Sequence, residues 1–165
     1  MRNWMGKLSI FAVGIGVGVV LMQPSAAQQK AAVLRLNHGG VFAKDYDESL
    51  RFYTNVMGFK EAFTIRDKDG KATLSYLHIT RDTFLELAPA TGDRVPGLSH
   101  IGIWPEDQRA VVEMLRQRGA KVDDPRTGAT GTAITNVVDP NGVRLELVNF
   151  MPDGITRKAI DSYKP

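Results

Sequence analysis

Two histidines and two glutamates recur at matching positions in the two halves of the 165-residue chain. His38 and His100 are 62 residues apart, and Glu86 and Glu146 are 60 residues apart. Neutral imidazoles and carboxylates together are ligands that Zn²⁺, Ni²⁺, Fe²⁺, Mn²⁺ and Co²⁺ accept. Four such groups leave room for water or substrate on the ion, as a catalytic site requires. We therefore predict that these four residues bind one divalent metal ion.

Each of these residues has a simpler interpretation when it is taken alone. A histidine at a strand end usually makes a local hydrogen bond, and a glutamate in a strand usually faces water. The joint pattern favours the metal, because the chain has only three histidines and two of them occupy equivalent positions. The third, His78, has no counterpart in the second half. We predict that His78 is hydrogen-bonded or exposed.

The segments around these residues predict the same order of elements twice, from hydrophobic alternation, acidic helix starts and glycine helix ends. In the first half the predicted elements are a strand at 33–37, a helix from 45 to Gly58, a hairpin of strands at 62–66 and 72–79, and a strand at 83–87. In the second half they are a strand at 99–104, a helix from 105 to Gly119, the start of a strand at 121–122, and strands at 133–138 and 143–148.

The glutamates lie between leucines in the last strand of each half, in Leu85-Glu86-Leu87 and Leu145-Glu146-Leu147. Side chains alternate between the two faces of a strand. If the leucines face the helices, both glutamates face the concave side of the sheet. This pattern predicts an α+β fold of two βαβββ modules, whose paired curved sheets surround a central metal cavity.

Residues 1–27 have the layout of a secretory signal peptide. Arg2 and Lys7 precede a 15-residue stretch without charge, and small residues precede a cut after Ala27. A membrane span needs about 20 apolar residues, so an uncleaved anchor is the alternative rather than the first hypothesis. We therefore predict an exported protein, periplasmic or secreted, with one domain at 32–150 and a tail at 151–165.

The composition excludes several classes of protein. The chain has no cysteine, which rules out disulfides, a thiolate zinc site and a cysteine nucleophile. Its 43% hydrophobic and 24% charged residues are typical of a globular domain. Removing residues 1–27 takes away two positive charges and lowers the formal charge from +3 to +1. No basic stripe remains, so we predict no nucleic-acid partner and, after signal removal, no membrane partner.

Several motifs together resemble the vicinal oxygen chelate superfamily, which includes glyoxalase I, methylmalonyl-CoA epimerase, extradiol dioxygenases and the fosfomycin and bleomycin resistance proteins. The resemblance covers residues 32–150. It rests on these segments: Asn37-His38-Gly39-Gly40-Val41, residues 49–59, Phe84-Leu85-Glu86-Leu87, Ser99-His100-Ile101-Gly102-Ile103, and residues 139–147.

The resemblance implies a function and roles for the site residues. The four predicted ligands are similar to the ligand set of glyoxalase I, whereas dioxygenases keep a triad matching His38, His100 and Glu146. Epimerases usually have glutamine at the position of Glu86. The resemblance therefore favours a glyoxalase-like lyase or isomerase, in which the metal stabilises an enediolate of a small oxygenated substrate. Glu146 is the implied base, and Glu86 is the other candidate.

Two features separate the chain from bacterial glyoxalases. Those enzymes have an arginine four residues after the first histidine, where this chain has Phe42, and the predicted export does not suit a glutathione substrate. The alternatives are a non-haem iron extradiol-type dioxygenase, a small-molecule binding protein without catalysis, and a purely structural use of the fold. A homodimer is a further hypothesis, because two copies that exchange halves would also complete the site. Five aromatic residues are candidates for a pocket wall, although aromatic residues in strands more often form core: Phe42, Tyr76, Phe84, Trp104 and Phe150.

Overall fold

The computed structural model describes residues 34–165, which form eight strands and three α-helices. The first half contains β1 (Leu34–Ala43), α1 (Tyr46–Arg51), β2 (Lys60–Arg66), β3 (Ala72–His78) and β4 (Phe84–Pro89). A wider π-helical turn, Phe52–Val56, continues α1. The second half contains β5 (Gly97–Pro105), α2 (Gln108–Gln117), β6 (Arg126–Thr127), β7 (Thr132–Val138) and β8 (Arg144–Phe150), and α3 (Ile155–Ser162) follows.

The predicted signal peptide, residues 1–27, lies outside the described residues, and export stays a prediction. Between residues 34 and 165, none of the helices has the length and apolar character needed to cross a bilayer.

The eight strands form one curled sheet in the order β2-β3-β4-β1-β5-β8-β7-β6. In each half the first strand runs parallel to the last, β1 beside β4 and β5 beside β8. The antiparallel pairing of β1 with β5 joins the halves. The predicted α+β fold of two βαβββ modules is therefore confirmed, with the two curved sheets hydrogen-bonded into a single half-barrel.

The centre of the sheet differs from the predicted boundaries. β1 continues through His38, Gly39 and Gly40 to Ala43, whereas the sequence pattern predicts a strand that ends at residue 37. The prediction that this strand ends before His38 is therefore wrong, because His38 lies within β1. Pairing with β4 on one side and β5 on the other keeps the two glycines extended. Two neighbouring strands thus override the local tendency of glycine to turn.

The predicted helix ends are confirmed. Asp45 and Asp107 cap α1 and α2, each accepting a hydrogen bond from a backbone N–H in the first turn. Gly58 and Gly119 follow the helices with φ of +76° and +85°, a conformation that favours glycine. Pro105 ends β5 and α2 begins at Gln108, so the helix predicted from residue 105 begins three residues later.

The strand predicted to start at 121–122 is reduced to a single bridge between Val122 and Val137. β6 forms instead at Arg126–Thr127, where it pairs with β7 at the edge of the sheet. Arg126 is thereby placed on the rim of the concave face.

The main core cluster includes a residue from the C-terminal tail. Ile160 of α3 is buried with Tyr76, Phe84, Val148 and Phe150. The tail, for which the sequence favours no single role, therefore packs against the sheet. Trp104 is packed against this cluster too, so four of the five candidate pocket aromatics belong to the core region. Phe42 and Tyr76 line a cavity, and Tyr76 therefore does both.

A second cluster joins α2 to the sheet. Val111 and Val112 of α2 pack on Leu147 of β8, and all three are buried. Because Leu147 faces the helix, Glu146 beside it points to the opposite, concave face. The alternation argument from the sequence holds for this strand.

Candidate metal centre

The four predicted ligands meet on the concave face of one chain. The Nε2 atoms of His38 and His100 are 3.0 Å apart. The carboxylate of Glu86 lies 3.6 Å from His38 Nε2 and 3.7 Å from His100 Nε2. Glu146 Oε2 lies 3.8 Å and 3.6 Å from the same two nitrogens. One chain supplies all four residues, so an exchange of halves between two copies is not needed to bring them together.

These separations fit a shared metal ion. Two nitrogen ligands about 2.0–2.1 Å from one tetrahedral zinc ion lie about 3.3 Å apart, and the 3.0 Å between the Nε2 atoms of His38 and His100 is close to that spacing. Ligand atoms of those two residues and of Glu86 all lie within 4.8 Å of one another. Glu146 Oε2 approaches the two histidines about as closely as Glu86 does. The donor set of two buried imidazoles and two carboxylates suits a divalent transition metal or zinc.

Each histidine ring packs over a glycine of the other half. In the β1–β5 pairing His38 lies opposite Gly102, and Gly40 lies opposite His100. A Cβ atom built on Gly102 would overlap the imidazole of His38, and one on Gly40 would overlap that of His100. The sequence reasoning missed this role, although the two glycines are 62 residues apart, the same offset as the histidines.

We expect Gly102→Ala to displace His38 and to lower metal affinity about 100-fold. This is roughly the contribution of one ligand to the binding free energy of a four-ligand site. Gly40→Ala should do the same through His100. The measurement is zinc affinity by competition with a chromophoric chelator. Gly39→Ala is the matched control, because a Cβ there meets only a Leu98 methyl at an ordinary 4.0 Å. Equal zinc affinity in the Gly39 and Gly102 variants would contradict the prediction.

Asn37 determines which ring nitrogen of His38 carries the proton. The Asn37 amide donates to the carbonyl of Asp82 at 2.8 Å, which leaves its Oδ1 2.8 Å from His38 Nδ1. Because Oδ1 can only accept, Nδ1 carries the proton and Nε2 offers its lone pair to the centre. Asn37 is fully buried. Sequence reasoning placed it in a motif but gave it no role.

The second histidine has two partners at Nδ1. Ser99 Oγ is 2.8 Å away and Arg144 Nη2 is 3.0 Å away. A guanidinium only donates, so its hydrogen bond needs an unprotonated Nδ1 and leaves the proton on Nε2. A metal on Nε2 needs the opposite tautomer, whose Nδ1 proton Ser99 Oγ can accept. Metal binding and the Arg144–His100 hydrogen bond are therefore mutually exclusive.

Tyr76 holds the first glutamate. It lies opposite Glu86 in the β3–β4 pairing, and its hydroxyl donates to Glu86 Oε2 at 2.6 Å. Its ring stacks on Phe63 with centroids 4.9 Å apart. The second glutamate has a different environment: Glu146 Oε1 lies 3.8 Å from the guanidinium groups of Arg126 and Arg144. The two glutamates are thus equivalent in the repeat but not in their partners.

We expect Tyr76→Phe to weaken metal affinity at neutral pH by about tenfold, within the range for removing a hydrogen bond to a ligand. The lost hydrogen bond stabilises the Glu86 carboxylate, so its removal favours the protonated, non-ligating form. Zinc competition titrations check this. Tyr46→Phe is the control, because its hydroxyl bonds Ser75 at 2.5 Å instead of a predicted ligand. Unchanged affinity in the Tyr76 variant would remove Tyr76 from the site.

Burial sets the charge of the predicted ligands. It is the main cause that lowers the pKa of His38 to about 3 and that of His100 to about 4, with positive Arg144 adding to both. Burial also raises the pKa of Glu86 to about 7, against the opposing effect of the Tyr76 hydrogen bond, and raises the pKa of Glu146. Both imidazoles are therefore neutral at physiological pH, the form that binds metals.

The centre opens into a cavity of about 800 Å³. Glu86, His100 and Glu146 line it on the side of the centre, and Phe42 and Tyr76 add aromatic surface. This volume lies in the range of small-molecule sites.

His78 takes no part in the centre. Its ring is buried, contacts Phe84 with centroids 4.7 Å apart, and has its Nδ1 3.1 Å from the carbonyl of Thr80. Of the two predicted alternatives, hydrogen-bonded or exposed, the first is confirmed.

Comparisons with known proteins agree on one superfamily. The sequence pattern of the Glyoxalase/Bleomycin resistance protein/Dioxygenase superfamily matches residues 35–147. The chain is 29% identical over 130 residues to a lactoylglutathione lyase of Salmonella typhimurium, covering 73% of this chain and 96% of the lyase.

Solved structures of epimerases share the fold. A variant of Streptomyces coelicolor methylmalonyl-CoA epimerase, in complex with 2-nitronate-propionyl-CoA, matches with a TM-score of 0.57 and 29% identity, over 69% of this chain and 95% of the epimerase. Methylmalonyl-CoA epimerase of Mycobacterium tuberculosis matches with a TM-score of 0.61 and 22% identity, over 71% of this chain and 88% of that one.

Proposed function

We propose the function of this chain from its family, because it belongs to the Glyoxalase/Bleomycin resistance protein/Dioxygenase superfamily. Our proposal is a glyoxalase-like lyase or isomerase that binds one divalent metal ion and acts on a small oxygenated molecule. The convergence of His38, Glu86, His100 and Glu146 within one chain carries the proposal. The relatives support the reaction class, since one is a lyase and another an epimerase.

The two glutamates suit different roles in such a reaction. A divalent ion bound at this centre would polarise a substrate carbonyl and acidify the adjacent carbon–hydrogen bond. The hydrogen bond from Tyr76 restrains Glu86, which therefore suits a ligand that stays bound to the ion throughout the reaction. Glu146 lines the cavity, and burial raises its pKa, which makes its carboxylate a stronger base. We assign proton transfer to Glu146.

We expect metal affinity to fall as the pH drops below about 7, because Glu86 must lose its proton to bind the ion. The sign follows from its raised pKa: below that value the protonated form dominates, and each further pH unit costs about tenfold in affinity. The histidines do not contribute near neutrality, since their pKa values are lowered to about 3 and about 4. Zinc titrations between about pH 6 and pH 8 check the slope.

Glu86→Gln is the matched variant for this pH dependence, because the amide keeps the shape but does not titrate. The zinc affinity of this variant should be lower than that of the unmodified protein at the high end of the pH range. It should also change less than that of the unmodified protein across the range. A wild-type affinity that is flat over that range contradicts the pKa assignment.

The proposal is tested by two measurements on the purified protein. Elemental analysis after exposure to a mixture of Zn²⁺, Ni²⁺, Fe²⁺, Mn²⁺ and Co²⁺ should show close to one ion per chain. Deuterium exchange at the carbon next to a carbonyl, followed by proton magnetic resonance on dihydroxyacetone, should then require that ion. The hemithioacetal of methylglyoxal and glutathione is a second substrate to try, in view of the lactoylglutathione lyase relative. A protein that binds no ion, or that binds one without catalysing exchange or isomerisation, does not fit the proposal.

The same experiment separates the alternative hypotheses. A dioxygenase would consume oxygen with a catechol in the Fe²⁺ form, and its triad would not require Glu86, which here lies 3.6 Å and 3.7 Å from the two histidine nitrogens. A binding protein without catalysis would take up the ligand and show no exchange.

A further inference from the structure

Three arginines from three separate elements line the cavity beside the predicted centre. Arg94 lies in the segment between β4 and β5, Arg126 lies in β6, and Arg144 begins β8. They are far apart in the sequence, so only the curl of the sheet brings them to one cavity. None of them belongs to the predicted ligand set.

These arginines outnumber the carboxylates available to them. Within residues 34–165, Arg126 and Arg144 have one carboxylate partner within 4.0 Å, the same Glu146 Oε1 at 3.8 Å from each, and no carboxylate lies within 4.0 Å of Arg94. The whole lining, with Lys71 added and Asp67, Glu86 and Glu146 subtracted, carries one net positive charge. The three carboxylates of the lining therefore leave one of its four cationic side chains without a counter-charge.

The arginine side chains are also accessible from the cavity. The side chain of Arg126 is 52% exposed and that of Arg144 is 37% exposed, so their donors can reach a ligand. The Arg94 guanidinium lies 5.0 Å from the ring centroid of Phe42, a cation–π contact that restrains it. Arg94, Arg144 and Phe42 line a second, adjoining cavity of about 510 Å³ as well. These three residues therefore lie between the two cavities.

A concave surface with excess positive charge attracts anions and raises their local concentration. Guanidinium groups match the planar oxygens of a carboxylate and the oxygens of a phosphate, to which they can donate in pairs. A divalent ion at the centre would add two further positive charges to the lining.

We propose that the substrate carries an anionic group, a carboxylate or a phosphate, which Arg94, Arg126 and Arg144 bind while the oxygenated carbons face the four predicted ligands. This inference rests on the proposed function of the site and names its substrate class. The arginines bind and orient the substrate, and the proton transfer stays with the glutamate.

Matched ligands test the proposal by isothermal titration calorimetry on the full chain. Dihydroxyacetone phosphate, hydroxypyruvate and dihydroxyacetone share a hydroxy-ketone unit and differ in carrying a phosphate, a carboxylate or no charge. At least one of the two anionic ligands should bind at least tenfold more tightly than dihydroxyacetone. The anionic ligand that binds more tightly shows whether the site prefers a phosphate or a carboxylate. Equal affinity for all three ligands overturns the proposal. Each titration is run on zinc-loaded and on chelator-treated protein, because the anionic ligands can also contact zinc.

Variants assign the preference to the arginines. Arg94→Gln and Arg126→Gln should each lower the affinity for the anionic ligand by a much larger factor than the affinity for dihydroxyacetone, and Arg126→Lys should retain part of the preference for the anion. Arg109→Gln on α2 is the control, since Arg109 is exposed, lies outside the cavity lining and loses the same charge. A preference that survives the Arg94 and Arg126 double variant, or that Arg109→Gln lowers equally, overturns the assignment.

The chelator-treated arm separates this inference from the proposed function. If the protein binds no metal, the proposed function fails, and the preference of the metal-free protein for the anionic ligands still decides the inference. If the metal binds and the anionic ligands gain nothing over dihydroxyacetone, the inference alone fails.

Discussion

His38→Ala and His100→Ala should each lower the affinity of the protein for Zn²⁺ by about 100-fold. A structural zinc site contributes about 10–16 kcal/mol, so one of four ligands accounts for about 3 kcal/mol, or roughly two orders of magnitude. Both imidazoles are buried, neutral and 3.0 Å apart, so neither can be replaced by a nearby side chain without rearrangement. Competition with a chromophoric chelator gives the affinity, and elemental analysis gives the content.

The third histidine provides the control for this experiment. His78→Gln removes an imidazole that is buried elsewhere in the first half and hydrogen-bonded to Thr80. Its affinity for zinc should match that of the unmodified protein, and thermal unfolding without metal shows whether each variant still folds. If His78→Gln loses as much affinity as His38→Ala, the loss reflects a general effect on folding. If a folded His38→Ala keeps full affinity, the predicted centre is wrong.

Glu146→Gln should slow deuterium exchange by about 10²–10⁴-fold, the usual contribution of a positioned general base. The amide can still coordinate an ion through its oxygen, but it cannot take up a proton. Metal affinity should therefore fall much less than the exchange rate. The rate is measured on the metal-loaded protein by magnetic resonance, so that loss of the ion and loss of the base are read separately.

Glu86→Gln is the matched variant, because it makes the same chemical change at the equivalent position of the repeat. It should lower metal affinity through the altered ligand and retain far more exchange activity per bound ion. The reverse result, with exchange abolished only in the metal-loaded Glu86 variant, would give the base to Glu86 and contradict our assignment of Glu146. Equal losses in both would show that the two carboxylates act as one unit.

Much of the fold is predictable because its signals are local. Alternation within strands, Asp45 and Asp107 at helix starts, and Gly58 and Gly119 at helix ends all depend on neighbours a few residues away. The repeat then relates the halves, since one module plan used twice places equivalent residues at nearly constant offsets. The boundary error at residue 37 has the opposite cause: pairing with two distant strands keeps Gly39 in β1.

The sequence by itself determined the module plan and the four candidate ligands, because both repeat along the chain. Only the tertiary structure decided that one chain brings those ligands together, that Tyr76 binds Glu86, and that Arg126 and Arg144 share Glu146. The physical reason is that these contacts join strands from distant parts of the chain across a curled sheet. The local sequence pattern does not predict which distant side chains the curled sheet brings into contact. The arginines repeat at no fixed offset, and their meeting at one cavity exists only in the folded chain.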